Sequence, residues 1–290
     1  MSDLIAVTGA TGTLGTLVID QLLARVPAER VVAIARDPAK AAALAEKSVQ
    51  VRIADHDDRE AVDAALVGID IALLISGNEF GKRMIQHENV IRAASQAGVS
   101  RLVYTSAPHA DTSPTFIVTE HKATEQLIRE SGLTYTMLRM NSYHENYVPY
   151  LTSAPTTGVL IGSVHDGRVA SADHLDYAEA AAVVLSTEGH DNVAYELAGD
   201  TAWSYPDLAA AIAQVSGKHV IYQDMSSAEH AEALRSTGLD EETISFLVQL
   251  DADVSAGVSA DATGDLGRLI GRPTVPLVDG LHAIAARSSR

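Results

Sequence analysis

The chain has 290 residues, of which 38 are Asp or Glu, 21 are Lys or Arg and none is Cys, and its formal net charge is −17. The lack of cysteine excludes disulfides, zinc–thiolate sites and thiol nucleophiles, and the negative charge argues against a nucleic-acid partner. The longest apolar runs, such as VVAIA at 31–35, have the length of a strand and are too short to span a bilayer. We therefore expect a cytoplasmic globular protein without a membrane partner, long enough for a main domain with a smaller lobe.

Short apolar runs alternate with longer amphipathic stretches in the first half of the chain, and this alternation predicts βαβ units with a parallel sheet. The predicted strands are Leu4–Thr8, Val31–Ala35, Val49–Ile53, Ile71–Ile75, Leu102–Ser106 and Thr134–Leu138. The predicted helices are Leu14–Ala24, Pro38–Glu46, Arg59–Leu66, Arg83–Ala97 and Glu120–Ser131. Gly98 and Gly132 follow the last two helices, where glycine caps are expected.

The pattern changes after Arg139. Residues 141–175 are rich in Pro, Gly, Ser and Tyr and have little periodicity, which predicts long loops around a site. Further helices are predicted at Ala178–Leu185, Pro206–Val215, Ser227–Ser236 and Glu241–Leu250, and further strands near Ala194–Leu197 and His219–Tyr222. We expect a division into residues 1–140 and residues 141–290, with some segments of the second part returning to the sheet.

The stretch LIAVTGATGTLGTLVIDQLL predicts a strand, a glycine-rich turn and a helix in close succession. Glycines at 9, 12 and 15 would let backbone N–H groups and the helix N-terminus approach a pyrophosphate. The spacing is GxxGxxG rather than GxGxxG, and the alternative is a simple tight turn between strand and helix. The residues assigned to a dinucleotide cofactor are Thr8, Gly9, Thr11, Gly12, Thr13, Leu14 and Gly15.

This loop and the alternation together predict the fold class. We expect an α/β protein with a Rossmann-type doubly wound parallel sheet, helices on both faces and a smaller C-terminal α/β substrate lobe. Residues 1–140 would form the NAD(P)-binding domain, and residues 141–290 mainly the substrate lobe.

The end of the second strand decides which dinucleotide is favoured. Arg36 stands where an acid would bind a ribose 2′-hydroxyl, and a guanidinium there suits a 2′-phosphate. Asp37 comes one residue later and is expected to cap the helix that begins at Pro38. NADPH is therefore favoured and NADH is the alternative, unless Arg36 is only a solvated surface cation. Asp55, after the third strand, is a candidate contact for the adenine amine.

Several motifs are specific as a set: TGATGTLG, IADHDD, LLISGNE, VSRLVYTSA, HKATEQLIRESGLTYTMLR and YELAGDTAWSYPDLA. Together they resemble the NmrA-like group of atypical short-chain dehydrogenase/reductases over nearly the whole chain. Within that group they are most similar to the bacterial NAD(P)H:quinone oxidoreductases of type 2 and to their triphenylmethane-reductase relatives.

The resemblance makes one absence informative. In extended short-chain dehydrogenases the helix after the fifth strand carries a Tyr, a Lys four residues later and often a Glu four further on. Aligning that Glu with Glu125 puts Ile117 at the Tyr position and His121 at the Lys position, so the proton-donating pair is missing. Ser106, the usual third member, is retained. His121 either belongs to the active site or forms a structural i, i+4 pair with Glu125.

Hydride transfer to a quinone needs no such pair, because the product oxyanion is a stabilised phenolate that water can protonate. The resemblance thus implies an NADPH-dependent quinone oxidoreductase without metal or flavin, acting on a small-molecule quinone-like substrate. Two alternatives stay open: a dinucleotide-binding redox sensor acting through a protein partner, and a reductase of azo or triarylmethane dyes. A homo-oligomer is also left open.

Candidate site residues follow the carboxyl ends of the last strands of the first half, where open sheets bind ligands. Ser76, Gly77 and Ser106 are assigned to the cofactor and to the acceptor pocket. Tyr143 could stack with Tyr147 on a flat ring, unless both pack between the lobes. Asn146 could hold a quinone oxygen. The catalytic candidates are Ser106, His121, Tyr143 and Asn146.

Overall fold

The computed structural model describes residues 3–79 and 81–288. Its strands, in chain order, are β1 (Ile5–Val7), β2 (Val31–Ala35), β3 (Gln50–Ile53), β4 (Ile71–Leu74), β5 (Arg101–Ser106), β6 (Tyr135–Met140), β7 (Val159–Gly162), β8 (Arg168–Val169), β9 (Val193–Leu197), β10 (Trp203–Ser204) and β11 (Ile221–Asp224). Its α-helices are α1 (Thr13–Leu23), α2 (Pro38–Ala45), α3 (Arg59–Leu66), α4 (Arg83–Ala97), α5 (Phe116–Glu130), α6 (Val148–Thr157), α7 (His174–Ser186), α8 (Tyr205–Ser216), α9 (Ser227–Ser236), α10 (Glu241–Ser255), α11 (Asp265–Ile270) and α12 (Leu277–Ser288). Short 3-10 helices lie at Ala28–Arg30 and His144–Tyr147.

The chain divides into two compact units. The first contains the chain up to Met140 together with His174–Leu197 and Arg268–Gly271. The second contains Asn141–Asp173, Ala198–Gly267 and the chain from Arg272 onwards. A segment from the second half of the sequence thus supplies α7 and β9 to the first unit.

A seven-stranded sheet forms the centre of the first unit, in the order β3-β2-β1-β4-β5-β6-β9. All of its pairings are parallel, and Ile5 is in register with Val31 on one side and Ile71 on the other. The strand order changes direction between β1 and β4, which is the point where doubly wound sheets bind their ligands. The predicted α/β Rossmann-type fold is therefore confirmed.

Continuous apolar strands explain why this sheet is buried. Every residue of β1 and β2 is buried, as the runs IAV and VVAIA require in a parallel sheet covered by helices. Apolar residues of α3 and α4, and Ile128 of α5, join the sheet in one core cluster. On α1, the buried side chains include Val18 and Leu22, and this helix packs against α7.

Helix ends in the first unit follow the local signals of the sequence. Asp37 accepts hydrogen bonds from the backbone N–H groups of Ala39 and Lys40, so the expected cap of α2 is confirmed. Gly98 caps α4 in the left-handed conformation, as predicted. The helix expected from Glu120 begins one turn earlier, at Phe116.

The second unit has two short pairings of strands and its own core. β7 pairs with β11 in parallel, and β8 pairs with β10 antiparallel. Helices α6, α8 and α12 contribute to a cluster that is rich in aromatic side chains, including Tyr147, Trp203 and Tyr205. Trp203 packs edge-on against Tyr147 with ring centroids 4.7 Å apart.

The prediction of long loops over residues 141–175 was wrong. This region contains a 3-10 helix, α6, β7 and β8, and α7 begins at His174. The core residues Tyr147, Tyr150, Leu151 and Ala154 recur at the spacing of one helix face, but Ser, Thr and Pro155 between them hide the pattern. Helix α6 tolerates Pro155 near its end, where Gly158 terminates it.

The C-terminal region contains helices that the sequence reading did not predict. They are α11 and α12, and Leu281 and Ile284 of α12 are buried in the core of the second unit. No helix within residues 3–79 and 81–288 is long and apolar enough to cross a membrane.

Candidate active site

The glycine-rich loop after β1 has a geometry that only glycine satisfies at two positions. Gly9 has a φ of +60°, a conformation that residues with a Cβ adopt rarely. A Cβ at Gly15 would lie 2.3 Å from the carbonyl oxygen of Gly9, closer than any real contact. The loop therefore folds back on the first turn of α1 and requires the glycine spacing seen in the sequence.

The first turn of α1 is suited to an anion. Its N-cap is Gly12, which makes no side-chain cap hydrogen bond, and the turn contains no acidic residue. Backbone N–H groups at a helix N-terminus are donors without helical partners and carry partial positive charge. Gly12 and Thr13 are exposed and Thr11 is partly exposed, so this end of the helix is accessible. These residues fit the pyrophosphate of a dinucleotide.

Two loop residues assigned to the cofactor have other contacts. The Thr8 hydroxyl accepts a hydrogen bond from the backbone N–H of Ile75, 3.1 Å away, and so joins the ends of β1 and β4. Leu14 is buried in the core, and its side chain is not available to a ligand. The backbone N–H of Thr8 also donates to the Leu73 carbonyl, 3.0 Å away, so both positions mainly shape the loop.

Arg36 is an exposed side chain at the end of β2 that binds a carboxylate. Its Nη1 lies 2.7 Å from Oε1 of Glu79, and Lys82 Nζ lies 3.8 Å from the other oxygen of that carboxylate. The hydrogen bond from Arg36 holds the pKa of Glu79 below its usual value, and the same contact raises the pKa of Arg36. Sequence reasoning did not single out Glu79.

Asp55 follows β3 as expected and is half-buried. One of its carboxylate oxygens accepts a hydrogen bond from the backbone N–H of Asp57, 3.0 Å away. The next acid, Asp58, caps α3. The contact of Asp55 with an adenine amine stays a prediction.

Hydrogen bonds to side chains hold the backbone of the segment after β4. The Ser76 N–H donates to the Thr105 hydroxyl, 2.8 Å away. The Gly77 N–H donates to Nε2 of His87 at 3.2 Å, and the Gly77 carbonyl accepts from Nε of Arg83 at 2.6 Å. Ser76 and Gly77, both assigned to the cofactor, thus lie on an ordered backbone at the carboxyl edge of the sheet.

His87 of α4 is fully buried. Its Nε2 accepts from a backbone N–H, so its proton lies on Nδ1, which is 2.9 Å from the Thr124 hydroxyl. Burial lowers the pKa of His87 to about 3. This imidazole is neutral and positions the loop after β4.

Ser106 lies at the end of β5 in a buried network of charges. Its hydroxyl donates to Oε1 of Glu125 at 2.7 Å. Arg139 forms two hydrogen bonds to the same carboxylate, at 2.9 and 2.7 Å. Burial by itself raises the pKa of Glu125, but the hydrogen bonds from Arg139 and Ser106 outweigh it and lower that pKa. The hydroxyl hydrogen of Ser106 is therefore used to hold Glu125.

His121 of α5 binds a tyrosine hydroxyl. Its Nδ1 lies 2.8 Å from the hydroxyl of Tyr104, a fully buried residue of β5. The Thr124 hydroxyl also lies near this tyrosine O–H, but it already accepts from Nδ1 of His87 and donates to the Glu120 carbonyl. If Nδ1 of His121 carried the proton, it would not be available as the acceptor of the buried tyrosine O–H, and an unsatisfied buried donor costs about 1–3 kcal/mol. Tyr104 therefore donates, and the single proton of the neutral imidazole lies on Nε2.

Burial keeps this imidazole neutral. Burial, with a smaller contribution from the nearby Arg83, lowers the pKa of His121 to about 4. Of the two open interpretations, the hydrogen-bonded pair with Glu125 is not formed, because Glu125 binds Ser106, Arg129 and Arg139 instead. Within the described residues Nε2 of His121 has no hydrogen-bond partner. His121 can donate one hydrogen bond from Nε2, but it is not an imidazolium acid at neutral pH.

The remaining candidates belong to the second unit. Tyr143 is partly exposed, and burial of its hydroxyl raises the pKa of Tyr143 to about 12. Asn146 is exposed and donates from Nδ2 to the Ser142 hydroxyl at 3.1 Å. Tyr147 is buried in the aromatic core, so its predicted stacking on a flat acceptor was wrong. The packing interpretation applies to Tyr147, within its own unit.

Comparison with known proteins agrees with this geometry. Residues 9–188 match an NAD(P)H-binding family. The chain is 48% identical over 278 residues to Quinone oxidoreductase 2 of Escherichia coli (strain K12), which covers 96% of this chain and 97% of that protein.

Two crystal structures are also similar. The structure of the NADPH-dependent quinone oxidoreductase of Escherichia coli in complex with NADPH has a TM-score of 0.94 at 47% identity, covering 97% of this chain and 100% of that one. The triphenylmethane reductase of Citrobacter sp. has a TM-score of 0.91 at 36% identity, covering 97% and 98%. With its glycine-rich loop and nearly full-length similarity, the chain belongs to the NmrA-like, NAD(P)H-binding family.

Proposed function

We propose that this protein is an NAD(P)H-dependent quinone oxidoreductase that prefers NADPH and transfers hydride to a quinone or a similar conjugated acceptor. The observation that carries the proposal is the combination of a dinucleotide loop and an altered α5 in the same unit. On α5, Ile117 and a neutral His121 stand where a ketone reductase has its Tyr and Lys. The 48% identity to Quinone oxidoreductase 2 of Escherichia coli supports the same activity.

The first unit holds the cofactor in this proposal. The Gly12 N–H donates to the Gly9 carbonyl, so the backbone N–H groups of Thr13 and Gly15 receive the pyrophosphate. Arg36 receives the 2′-phosphate of NADPH. Asp55 is assigned to the adenine amine, and the backbone at Ser76 and Gly77 lies along the cofactor at the carboxyl edge of the sheet. A bound reduced nicotinamide supplies the hydride.

The proposed acceptor follows from the absence of the Tyr and Lys proton-donating pair on α5. Reducing a ketone produces an alkoxide that needs a proton at once, and the usual source is a tyrosine of lowered pKa. Burial instead raises the pKa of Tyr104 above its usual value, so its hydroxyl stays protonated. A quinone accepts the hydride as a phenolate, and the protein has only to align the acceptor and to stabilise this oxygen until water protonates it.

His121 is the residue we assign to that oxygen. Tyr104 holds its proton on Nε2, so a neutral imidazole presents one N–H donor to the developing phenolate. A neutral donor suits this task, because it stabilises the oxyanion without titrating near physiological pH. Ser106 remains in the proposal as a positioning residue, since its hydrogen bond fixes Glu125 one helical turn after His121.

The second unit is proposed as the acceptor lobe. Tyr143 keeps its O–H as a donor at physiological pH, because its pKa is about 12, and Asn146 offers an exposed amide for a quinone oxygen. The reaction consumes a reduced nicotinamide cofactor, and we place the enzyme in the cytoplasm for that reason.

A dye reductase is a second candidate that differs only in its acceptor. The 36% identity to the triphenylmethane reductase of Citrobacter sp. favours it. Triarylmethane dyes are conjugated cations that accept hydride at carbon and need no proton donor. Comparing initial rates on a quinone and on such a dye at matched concentrations separates the two.

The direct test is oxidation of NADPH and NADH by the purified protein, followed by the loss of absorbance of the reduced nicotinamide, with and without a benzoquinone or naphthoquinone. We expect quinone-dependent oxidation that is faster with NADPH, and an Arg36→Glu variant that loses this preference. Tight binding of NADPH without turnover of any quinone or dye would contradict the enzyme and favour the redox sensor.

A further inference from the structure

The side chain expected to bind the 2′-phosphate of NADPH is already bound to a carboxylate. Arg36 Nη1 and Glu79 Oε1 lie 2.7 Å apart, a charge-assisted hydrogen bond between side chains on two different segments of the carboxyl edge of the sheet. The contact is accessible, since Arg36 is 64% and Glu79 35% exposed. A phosphate that binds Arg36 must displace this carboxylate or share the guanidinium with it.

The surrounding charges increase this competition. Asp55 and Asp57 are near enough to Arg36 to raise its pKa in addition to Glu79. A 2′-phosphate carries about two negative charges, and each nearby carboxylate repels it. Of the three, Glu79 is the one in direct contact with the guanidinium.

Lys82 gives the displaced carboxylate a second cation. Its Nζ lies 3.8 Å from Oε2 of Glu79, one turn along the chain, and the lysine side chain is 66% exposed. A small movement of Glu79 towards Lys82 would release the Arg36 guanidinium and keep the carboxylate paired. The free-energy cost of moving Glu79 from Arg36 to Lys82 is therefore small. It affects only the binding of NADPH, because NADH has no 2′-phosphate.

We propose that Glu79 is a specificity-determining residue that competes with the 2′-phosphate of NADPH for Arg36 and so limits the preference for NADPH over NADH. The inference rests on the proposed binding of NADPH through Arg36. The Glu79 carboxylate and the 2′-phosphate bind the same guanidinium. The preference for NADPH over NADH therefore depends on how much more strongly Arg36 binds the phosphate than it binds Glu79.

The test is isothermal titration calorimetry of NADPH and of NADH with the full chain and with Glu79→Gln. Glutamine keeps the size of the side chain and removes its charge. We expect the ratio of the NADH to the NADPH dissociation constant to rise about three- to tenfold, the size of effect expected from breaking one exposed ion pair and removing one repulsive charge. Because the side chain is partly exposed, thermal unfolding of the variant should match that of the parent.

Glu130→Gln is the matched control for net charge. Glu130 is an exposed acid at the end of α5 whose partner is Gln126. Its neutralisation changes the total charge by the same amount and should leave the ratio unchanged. An equal rise in both variants would show a general charge effect and overturn the inference.

A second variant separates this inference from the proposed function. In an Arg36→Gln background, Glu79→Gln should no longer raise the ratio, because the contested cation is gone. If Arg36→Gln itself leaves the ratio unchanged, the 2′-phosphate is not bound there, and both the assignment of Arg36 and the role of Glu79 are overturned. If Arg36→Gln lowers the ratio while Glu79→Gln leaves it unchanged or lowers it, only the role of Glu79 is overturned.

Discussion

The hydroxyl of Tyr104 donates a hydrogen bond to Nδ1 of His121 over 2.8 Å, and it thereby fixes which nitrogen of the imidazole carries the proton. Tyr104 lies on β5 and His121 lies on α5, and both side chains are buried. A residue of β5 thus determines which nitrogen of the imidazole on α5 can donate a hydrogen bond.

Replacing Tyr104 by Phe should weaken both stability and catalysis. The free energy of unfolding should fall by about 1–2 kcal/mol, because a buried imidazole nitrogen loses its partner. The kcat for quinone reduction should fall about three- to tenfold, since part of the His121 population would carry its proton on the wrong nitrogen. Urea denaturation and steady-state kinetics measure the two effects.

Tyr195→Phe is the control for Tyr104→Phe. The Tyr195 hydroxyl lies 2.8 Å from Nδ1 of His190, so this variant removes the same kind of hydrogen bond elsewhere in the first unit. Stability should fall here as well, with kcat unchanged. Similar losses of kcat in both variants would show that Tyr104 acts only through stability.

His87 and His121, two of the buried histidines of the first unit, should make it sensitive to acid. Burial lowers the pKa of His87 to about 3 and the pKa of His121 to about 4, whereas both titrate near 6.5 when unfolded. Between these values only the unfolded chain takes up the protons, so stability is complete above pH 6.5 and is lost as the pH falls. At pH 5 the loss should be on the order of 2 kcal/mol for each histidine.

Chemical denaturation at pH 7 and pH 5 tests this sign. In His121→Gln the difference between the two pH values should shrink by about 2 kcal/mol. In His282→Gln, which alters an exposed histidine of α12, the difference should match that of the parent. A protein that gains stability on acidification would contradict the assignment of both buried histidines as neutral.

Gly15→Ala and Gly12→Ala should separate the two functions of the glycine loop. At Gly15 the added methyl would meet the Gly9 carbonyl at 2.3 Å, so we expect a loss of about 2–3 kcal/mol in unfolding free energy. At Gly12 the same contact is 3.3 Å and the backbone has a negative φ, so stability should change little. The Gly12 methyl would nevertheless project at the open end of α1.

The measurement for this pair is the rise in Tm that NADPH causes in each protein. Ligand binding stabilises the folded state by an amount that rises with the logarithm of the ligand concentration relative to Kd, so a weaker binder gives a smaller shift at the same concentration. Gly12→Ala should show a parental Tm without NADPH and a reduced shift with it. A full shift in this variant would mean that the pyrophosphate binds elsewhere.

Ser106→Ala should destabilise the protein without removing its activity. The hydroxyl donates to Glu125, and its loss should cost about 1–2 kcal/mol, because the buried carboxylate keeps its two arginines but loses one donor. The kcat/KM for quinone reduction should stay within about threefold, as expected for a positioning residue. In a Glu125→Gln background the stability cost of Ser106→Ala should shrink. A large fall in kcat with unchanged stability would instead make Ser106 a catalytic residue.

The fold of the first unit could be predicted because its local signals agree with its packing. VVAIA is fully buried as a run of that composition should be, and Asp37 and Pro38 mark the start of the next helix. The region 141–175 could not be predicted in the same way. Its buried face consists of a few side chains at helical spacing, and Pro155 lies within the helix that carries them.

The same distinction between local and non-local features applies to the candidate site. Glycine spacing predicts the phosphate loop because the loop is local in sequence. The pairs Arg36–Glu79 and Tyr104–His121 join residues 43 and 17 positions apart on different elements, and no periodicity relates them. One signal was nevertheless present: a tyrosine within the apolar strand RLVYTS needs a partner for its hydroxyl once the strand is buried.

The position of β9 in the sequence, more than 50 residues after β6, affects how the chain folds. This strand pairs with β6 as the outermost member of the seven-stranded sheet, yet residues 141–173 of the second unit are synthesised between the two. A nascent or truncated chain that ends before Val193 exposes β6 as an unpaired edge of apolar residues, which is a template for aggregation. Expression of residues 1–140 alone should therefore yield mainly insoluble material. A chain that lacks residues 141–173, in which His174–Leu197 follows β6 directly, should complete the sheet.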